Sequence, residues 1–221
     1  MSIGALLLIV LGVLIYFGAA QRVLDKLYLT DIMALVVIAG IIIGSFVDFT
    51  VLRNPVVTIN LGGAIIPVIL AIYVLSRAGT YRELVRTIIA VVLTGGAIYG
   101  LSQFFKNFGH GRDIIDPMYV FAISGGVIAY LLGRSRRASF IAGTLGYLTY
   151  NLIILGQVLT GRVVSQVMIG GAGAFDSIII SGLLAVLLAE LVGETRERIQ
   201  GGPVRGNNLP GKERRSDDDE K

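Results

Sequence analysis

The sequence predicts an all-α protein: a polytopic bundle of about seven transmembrane helices, amino terminus outside and carboxyl terminus inside, ending in a disordered cytoplasmic tail. Three observations lead there. Apolar residues make up 54% of the 221-residue chain and charged residues only 15%, against roughly 45–50% and about 25% in soluble domains. The apolar residues gather into runs near the ~20 residues that a bilayer core requires, and the mean hydropathy is +0.79. Lys and Arg collect in alternate connections between those runs, the asymmetry that orients a membrane protein.

Taken in order, the first run is Ile3–Ala20. It lacks a basic stretch before it and a cleavage site ahead of a soluble domain, so it reads as a helix and not as a signal peptide. Ile32–Leu52 follows Asp31, and Leu61–Leu75 follows Asn60, a residue suited to capping a helix start. Leu84–Phe105 comes next, and Pro117–Leu132 opens with a proline in its first turn behind Asp116. Ser139–Thr160 and Phe175–Val192 complete the set. Arg22 and Lys26 follow the first run, Arg77, Arg82 and Arg86 the third, and Arg134, Arg136 and Arg137 the fifth, while the tail holds seven more basic residues. The opposite connections keep only Arg53, Lys106, Arg112 and Arg162. Residues 1–193 are thus expected to form the membrane domain, and 194–221 a tail too polar to bury surface.

Composition removes whole classes of chemistry. Without cysteine there is no disulfide, thiolate or cysteine–zinc site. One histidine, His110, excludes a multi-histidine metal centre, and no cofactor is expected. The net charge of +4 does not point to nucleic acid: the tail from Glu194 carries seven basic and seven acidic residues, so the excess sits in the membrane connections. The expected partners are the lipid bilayer and a second copy of the chain. Gly40 and Gly44, and Gly96 and Gly100, have the small-xxx-small spacing that lets membrane helices approach closely. Glycine pairs at Gly62–Gly63, Gly95–Gly96, Gly125–Gly126 and Gly170–Gly171 add to it.

Under the predicted topology several polar groups gather near the outer ends of the spans. Asp48 falls late in the second, Asn60 opens the third, Asp116 the fifth and Asp176 the seventh, and Asn151 lies two thirds of the way out along the sixth. An acid at the mouth of a membrane helix carries a cost that calls for a function or a dedicated partner. The candidate solute- or ion-binding set is Asp176, Asn151, Asn60 and Asp48 with the flanking Gly171, Gly173, Gly62 and Gly63; Asp176 and Asp48 are the candidate catalytic acids, and no metal ligand set stands out. Each has a plainer reading. Asn60 and Asp176 serve equally as helix caps, Asp48 as a headgroup-level carboxylate, and Asn151 as one half of an interhelical hydrogen bond. His110 and Asp113 sit in a loop solvated by composition, and Glu190, near the inner end of the last span, can snorkel or pair with an arginine such as Arg196.

The segments IGGAGAFDSIIISGLLAVLLA, NLGGAIIPVILAIYVL and AGTLGYLTYNLIILG resemble the prokaryotic membrane family known as domain of unknown function 1614, from about Gly44 to Glu190. The resemblance implies a multi-pass protein of a prokaryotic plasma membrane and no particular activity. It also implies an acid in the sixth-span motif, where this chain carries Asn151. Three functions fit the residues. A transporter or channel for a small solute or ion would use Asp176 as its binding group. An intramembrane aspartyl hydrolase would pair Asp176 with Asp48; GAFD is loosely similar to the GxGD motif of presenilin-type and prepilin-type peptidases, with Phe175 where that motif has glycine. A non-catalytic scaffold or assembly factor would use the glycine faces for partner contacts.

Overall fold

An α-helix overlaps each of the six apolar runs from Ile32 to Val192. The computed structural model describes Leu27 and residues 29–107, 117–173 and 176–199. The first predicted span, His110, Asp113, Asp116, Phe175 and the tail beyond Ile199 lie outside the described residues. The helices are α1 (Asp31–Gly44), α2 (Ile66–Ser76), α3 (Tyr81–Asn107), α4 (Pro117–Gly133), α5 (Arg136–Leu159) and α6 (Ser177–Ile199). Side-chain caps set two of the starts: the Thr30 hydroxyl accepts from Met33 N–H at 3.2 Å, and the Ser135 hydroxyl from Ala138 N–H at 3.2 Å. The α3 helix over Tyr81–Phe105 and α5 are long and apolar enough to cross a membrane; the other apolar helices are shorter.

The all-α expectation needs one correction. The run read as a single helix to Leu52 breaks at Gly44, and three strands follow: β1 (Asp48–Arg53), β2 (Val56–Asn60) and β3 (Val167–Ile169). β1 and β2 form an antiparallel hairpin with a bulge between Thr50 and Leu52, and β3 lies parallel to β2, Val57 opposite Val167 and Ile59 opposite Ile169. The physical reason is local. The Ser45 hydroxyl donates to Ile41 O at 2.6 Å, turning the chain as the helix ends. Most of the residues beyond are β-branched or aromatic on both sides of Asn54–Pro55, a turn-forming pair. Asp48 therefore heads a strand instead of ending a helix. A single π-helical turn, Leu61–Ile65, joins β2 to α2.

The helices alternate in direction. Glu83 meets Arg137 at 3.4 Å, and further along Gln157 Nε2 donates to the Tyr99 hydroxyl at 2.6 Å, so α3 and α5 run parallel. Arg136 pairs with Glu190, and Gly143 packs on Ser181, so α6 runs against α5. The bundle has two unlike ends. One gathers the starts of α3 and α5 with their arginines; the other carries the sheet, the π turn and the start of α6.

Its cross-section is small inside and bulky outside. One alanine from each of four helices (Ala90, Ala129, Ala142 and Ala185) forms a buried layer. A Cβ on Gly95 would stand 2.8 Å from the Gly146 carbonyl oxygen, and one on Gly143 2.7 Å from that of Ser181. Thr87, Thr94, Ser139, Thr144 and Ser181 are also buried. Ile32, Val36, Ile69, Val92, Leu131 and Leu191 instead face outward. Small residues at contacts with large apolar ones outside is the arrangement favoured where lipid replaces water.

Candidate functional site

Asn60 organises the sheet end. It is buried where β2 turns into the π turn, and it uses both ends of its carboxamide. The oxygen accepts from Gly63 N–H at 2.7 Å, the cap that its position before Leu61 predicts. The nitrogen donates to Ser45 O at 3.0 Å and to Asp48 Oδ1 at 2.9 Å. One side chain thus joins the end of α1, the start of β1 and the entry to α2. Only one orientation of the amide satisfies all three partners, since the nitrogen faces two acceptors and the oxygen one donor.

Around Asn60 three backbone segments cross without intervening side chains. A Cβ on Gly62 would collide with Ile41 O and reach 2.5 Å from Ser45 N. One on Gly63 would collide with Gly170 O and lie 2.8 Å from Gly173 O. Gly170 and Gly173 have φ of +74° and +60°, backbone that glycine adopts without strain, and their turn closes through Gly173 N–H donating to Gly170 O at 2.8 Å. Gly173 also packs on Ser45, its would-be Cβ 2.7 Å from the serine Cβ. The glycines at 62, 63, 170 and 173 thus set the distance between the α1–α2 corner and the segment leading to α6.

Asp176 ends that segment, in the connection ahead of α6 and outside the helix. Its backbone N–H donates to Gly173 O at 3.0 Å. Its carboxylate caps α6, accepting from Ile178 N–H at 3.0 Å and from Ala172 N–H at 3.4 Å. Only 7% of the residue is exposed, and no Lys, Arg or His pairs with it among the described residues. A buried carboxyl with two N–H donors and no counter-charge can hold a proton or serve as the anionic ligand of a cation.

The predicted site residues divide into three. Asp48, Asn60, Gly62, Gly63, Gly173 and Asp176 belong to one contiguous cluster. Gly171 lies in the same turn but faces Met168, its would-be Cβ 2.9 Å from the methionine Cβ. Asn151 stands apart, half-buried on α5, and its carboxamide makes no hydrogen bond among the described residues. The two acids do not meet through their carboxyl groups: Asp48 is exposed and bonds Asn60, while Asp176 bonds backbone amides. Among the described residues no three His, Cys, Asp or Glu side chains converge as a metal would require.

Sequence reasoning missed Ser45, whose carbonyl and Cβ sit at the centre of the crossing. It also missed Arg136 as the partner of Glu190. Neither has a local signature. A third omission is a set of fully buried hydroxyls, those of Thr94, Ser139, Thr144 and Ser181, which have no hydrogen-bond partner among the described residues. Ser181 Oγ faces Gly125, Ser139 Oγ faces Gly133 and Thr144 Oγ1 faces Gly182. Serine and threonine inside apolar runs were the available signal.

No curated protein and no solved structure matches the chain. A family model described as protein of unknown function (DUF1614) matches residues 36–188, which include the hairpin, the Asn60 crossing and Asp176. The chain therefore belongs to the DUF1614 family.

Proposed function

We propose that this chain is a multi-pass protein of a prokaryotic plasma membrane that moves a small solute or ion, with Asp176 as its binding group. In this reading the six described helices join Ile3–Ala20 to make seven spans. The amino terminus and the sheet end face outward, and the arginine-rich end and the tail face the cytoplasm. The observation that carries it is the buried Asp176 carboxyl, without a cationic partner among the described residues, at one end of a bundle whose interior is lined by small residues and hydroxyls. Such a carboxyl inside an apolar bundle is expensive unless it exchanges its proton or holds a cation.

The test is flux in vesicles. The full chain, purified and reconstituted, is given a proton or cation gradient and followed with an internal dye. Wild type dissipates the gradient and Asp176→Asn does not; equal flux from both proteins removes the proposal. If wild type itself is silent, weight moves to the scaffold reading. One feature favours that alternative: a Cβ on Gly96 or Gly100 would meet nothing beyond its own helix within 4 Å, leaving a small-residue face of α3 open to a second copy. The hydrolase reading has less support, because a shared-proton pair needs two adjoining carboxyls.

A further inference from the structure

We propose that the arginine-rich end holds an anionic phospholipid in a cleft along α3, its phosphate at Arg82 and Arg86 and an acyl chain against Val85, Ile89, Leu93 and Leu132. The site goes beyond the solute site around Asp176 and rests on the membrane reading alone.

Sequence spacing builds the cleft. Positions 82, 85, 86, 89 and 93 recur at three- and four-residue intervals and so share one face of α3. Leu132 of α4 closes the far side of a cavity of about 320 Å³. From Tyr81 to Leu93 the helix rises about 18 Å, enough to take a headgroup and the upper part of an acyl chain. The walls change character along that length: Tyr81, Arg82 and Arg86 stand at the helix start, and the remaining lining is apolar. A second cavity of about 360 Å³ meets the same two arginines on its other side, where Thr80 and Ser135 can donate to phosphate oxygens.

Charge and position together single out Arg82 and Arg86, since Arg134, also without an ion-pair partner among the described residues, lines neither cavity. Arg136 and Arg137, nearby on α5, pair with Glu190 and Glu83. Arg77 lies over the Tyr73 ring, 5.2 Å from its centroid. Arg82 and Arg86 have no ion-pair partner among the described residues, and Glu83, the acid beside them, is engaged by Arg137. Two unpartnered guanidinium groups at the head of an apolar trough complement a phosphodiester that carries an alkyl chain. Guanidinium suits phosphate through its paired N–H donors. Basic pockets between helices at the cytoplasmic face are where anionic headgroups concentrate.

The chain has no tryptophan, so Tyr81→Trp supplies a single reporter inside the cleft. The full chain carrying it is reconstituted in vesicles of phosphatidylcholine with increasing brominated phosphatidylglycerol, and separately with brominated phosphatidylcholine. Quenching should show a preference for the anionic lipid that falls about five-fold for each arginine replaced in Arg82→Gln and Arg86→Gln. Arg82→Lys, which keeps the charge, should retain most of it. Equal quenching by the two lipids, or a preference untouched by the glutamine variants, would overturn the proposal. So would loss of the preference in millimolar inorganic phosphate, which would assign the arginines to a soluble anion. Weak quenching that strengthens on diluting the protein would place a second copy in the cleft and also overturn it. Failure to incorporate into vesicles would overturn the membrane reading itself, an outcome distinct from equal quenching.

Discussion

Replacing Asp176 with asparagine preserves the shape of the side chain and removes its ionisation. The carboxylate is buried, accepts from Ile178 N–H at 3.0 Å and Ala172 N–H at 3.4 Å, and has no cationic partner among the described residues. Asparagine keeps the first bond through its oxygen and gives up the second, at about 1 kcal/mol. It also removes a buried charge that no counter-ion offsets, which is worth more than that one bond. Where wild type is ionised the variant should therefore be the more stable protein, by about 2 kcal/mol, and where wild type is protonated the less stable, by about 1 kcal/mol. Unfolding of both proteins in one detergent between pH 4 and pH 8 measures it, and the difference curve cancels other titrating groups. Parallel curves across the whole range would refute the reasoning. So would a variant that is the weaker protein at pH 8, because an ionised cap would then be what stabilises α6. Read beside the flux assay, a variant that is both more stable and inactive would mark Asp176 as a group held at a cost for function.

Further tests address the crossing and the opposite end. Gly63→Ala should prevent recovery of folded protein, because its Cβ meets the Gly170 and Gly173 carbonyl oxygens and backbone must move. Gly96→Ala, on an open helix face, should be neutral or stabilising by up to about 1 kcal/mol, measured by thermal unfolding against wild type. Asn60→Asp converts two donor bonds into repulsion against Asp48 Oδ1 and Ser45 O; it should destabilise by about 3 kcal/mol, with Asp48→Asn restoring part of the loss in the double variant. The double variant Arg136→Gln with Glu190→Gln should be destabilised by less than the sum of the two single replacements, with a coupling of about 1 kcal/mol or more in a double-mutant cycle, since each single change strands a charge that is about four-fifths buried.

Local pattern alone locates a helix in each apolar run, though not the break of α1 at Gly44, and shows which connections are basic. Apolar runs bounded by capping residues and charges are local signals, and Thr30, Asn60 and Ser135 each sit where a helix or its first turn begins. It also singled out Asp176 and the glycines around it, because an acid and a glycine cluster are conspicuous in an apolar chain. The hairpin was legible in principle from the β-branched residues flanking Asn54–Pro55, but overall hydropathy masked the change of period. What those residues do together follows from packing that no local pattern reports. Asn60 needs Ser45 and Asp48 across the hairpin, whereas Gly63 needs Gly170 and Glu190 needs Arg136 from segments far apart in the chain. Burial of Asp176 likewise depends on how the Gly170–Gly173 turn is pressed against the α1–α2 corner. A residue's periodicity reports which face it occupies, whereas its protonation and its partners depend on what the fold brings against that face.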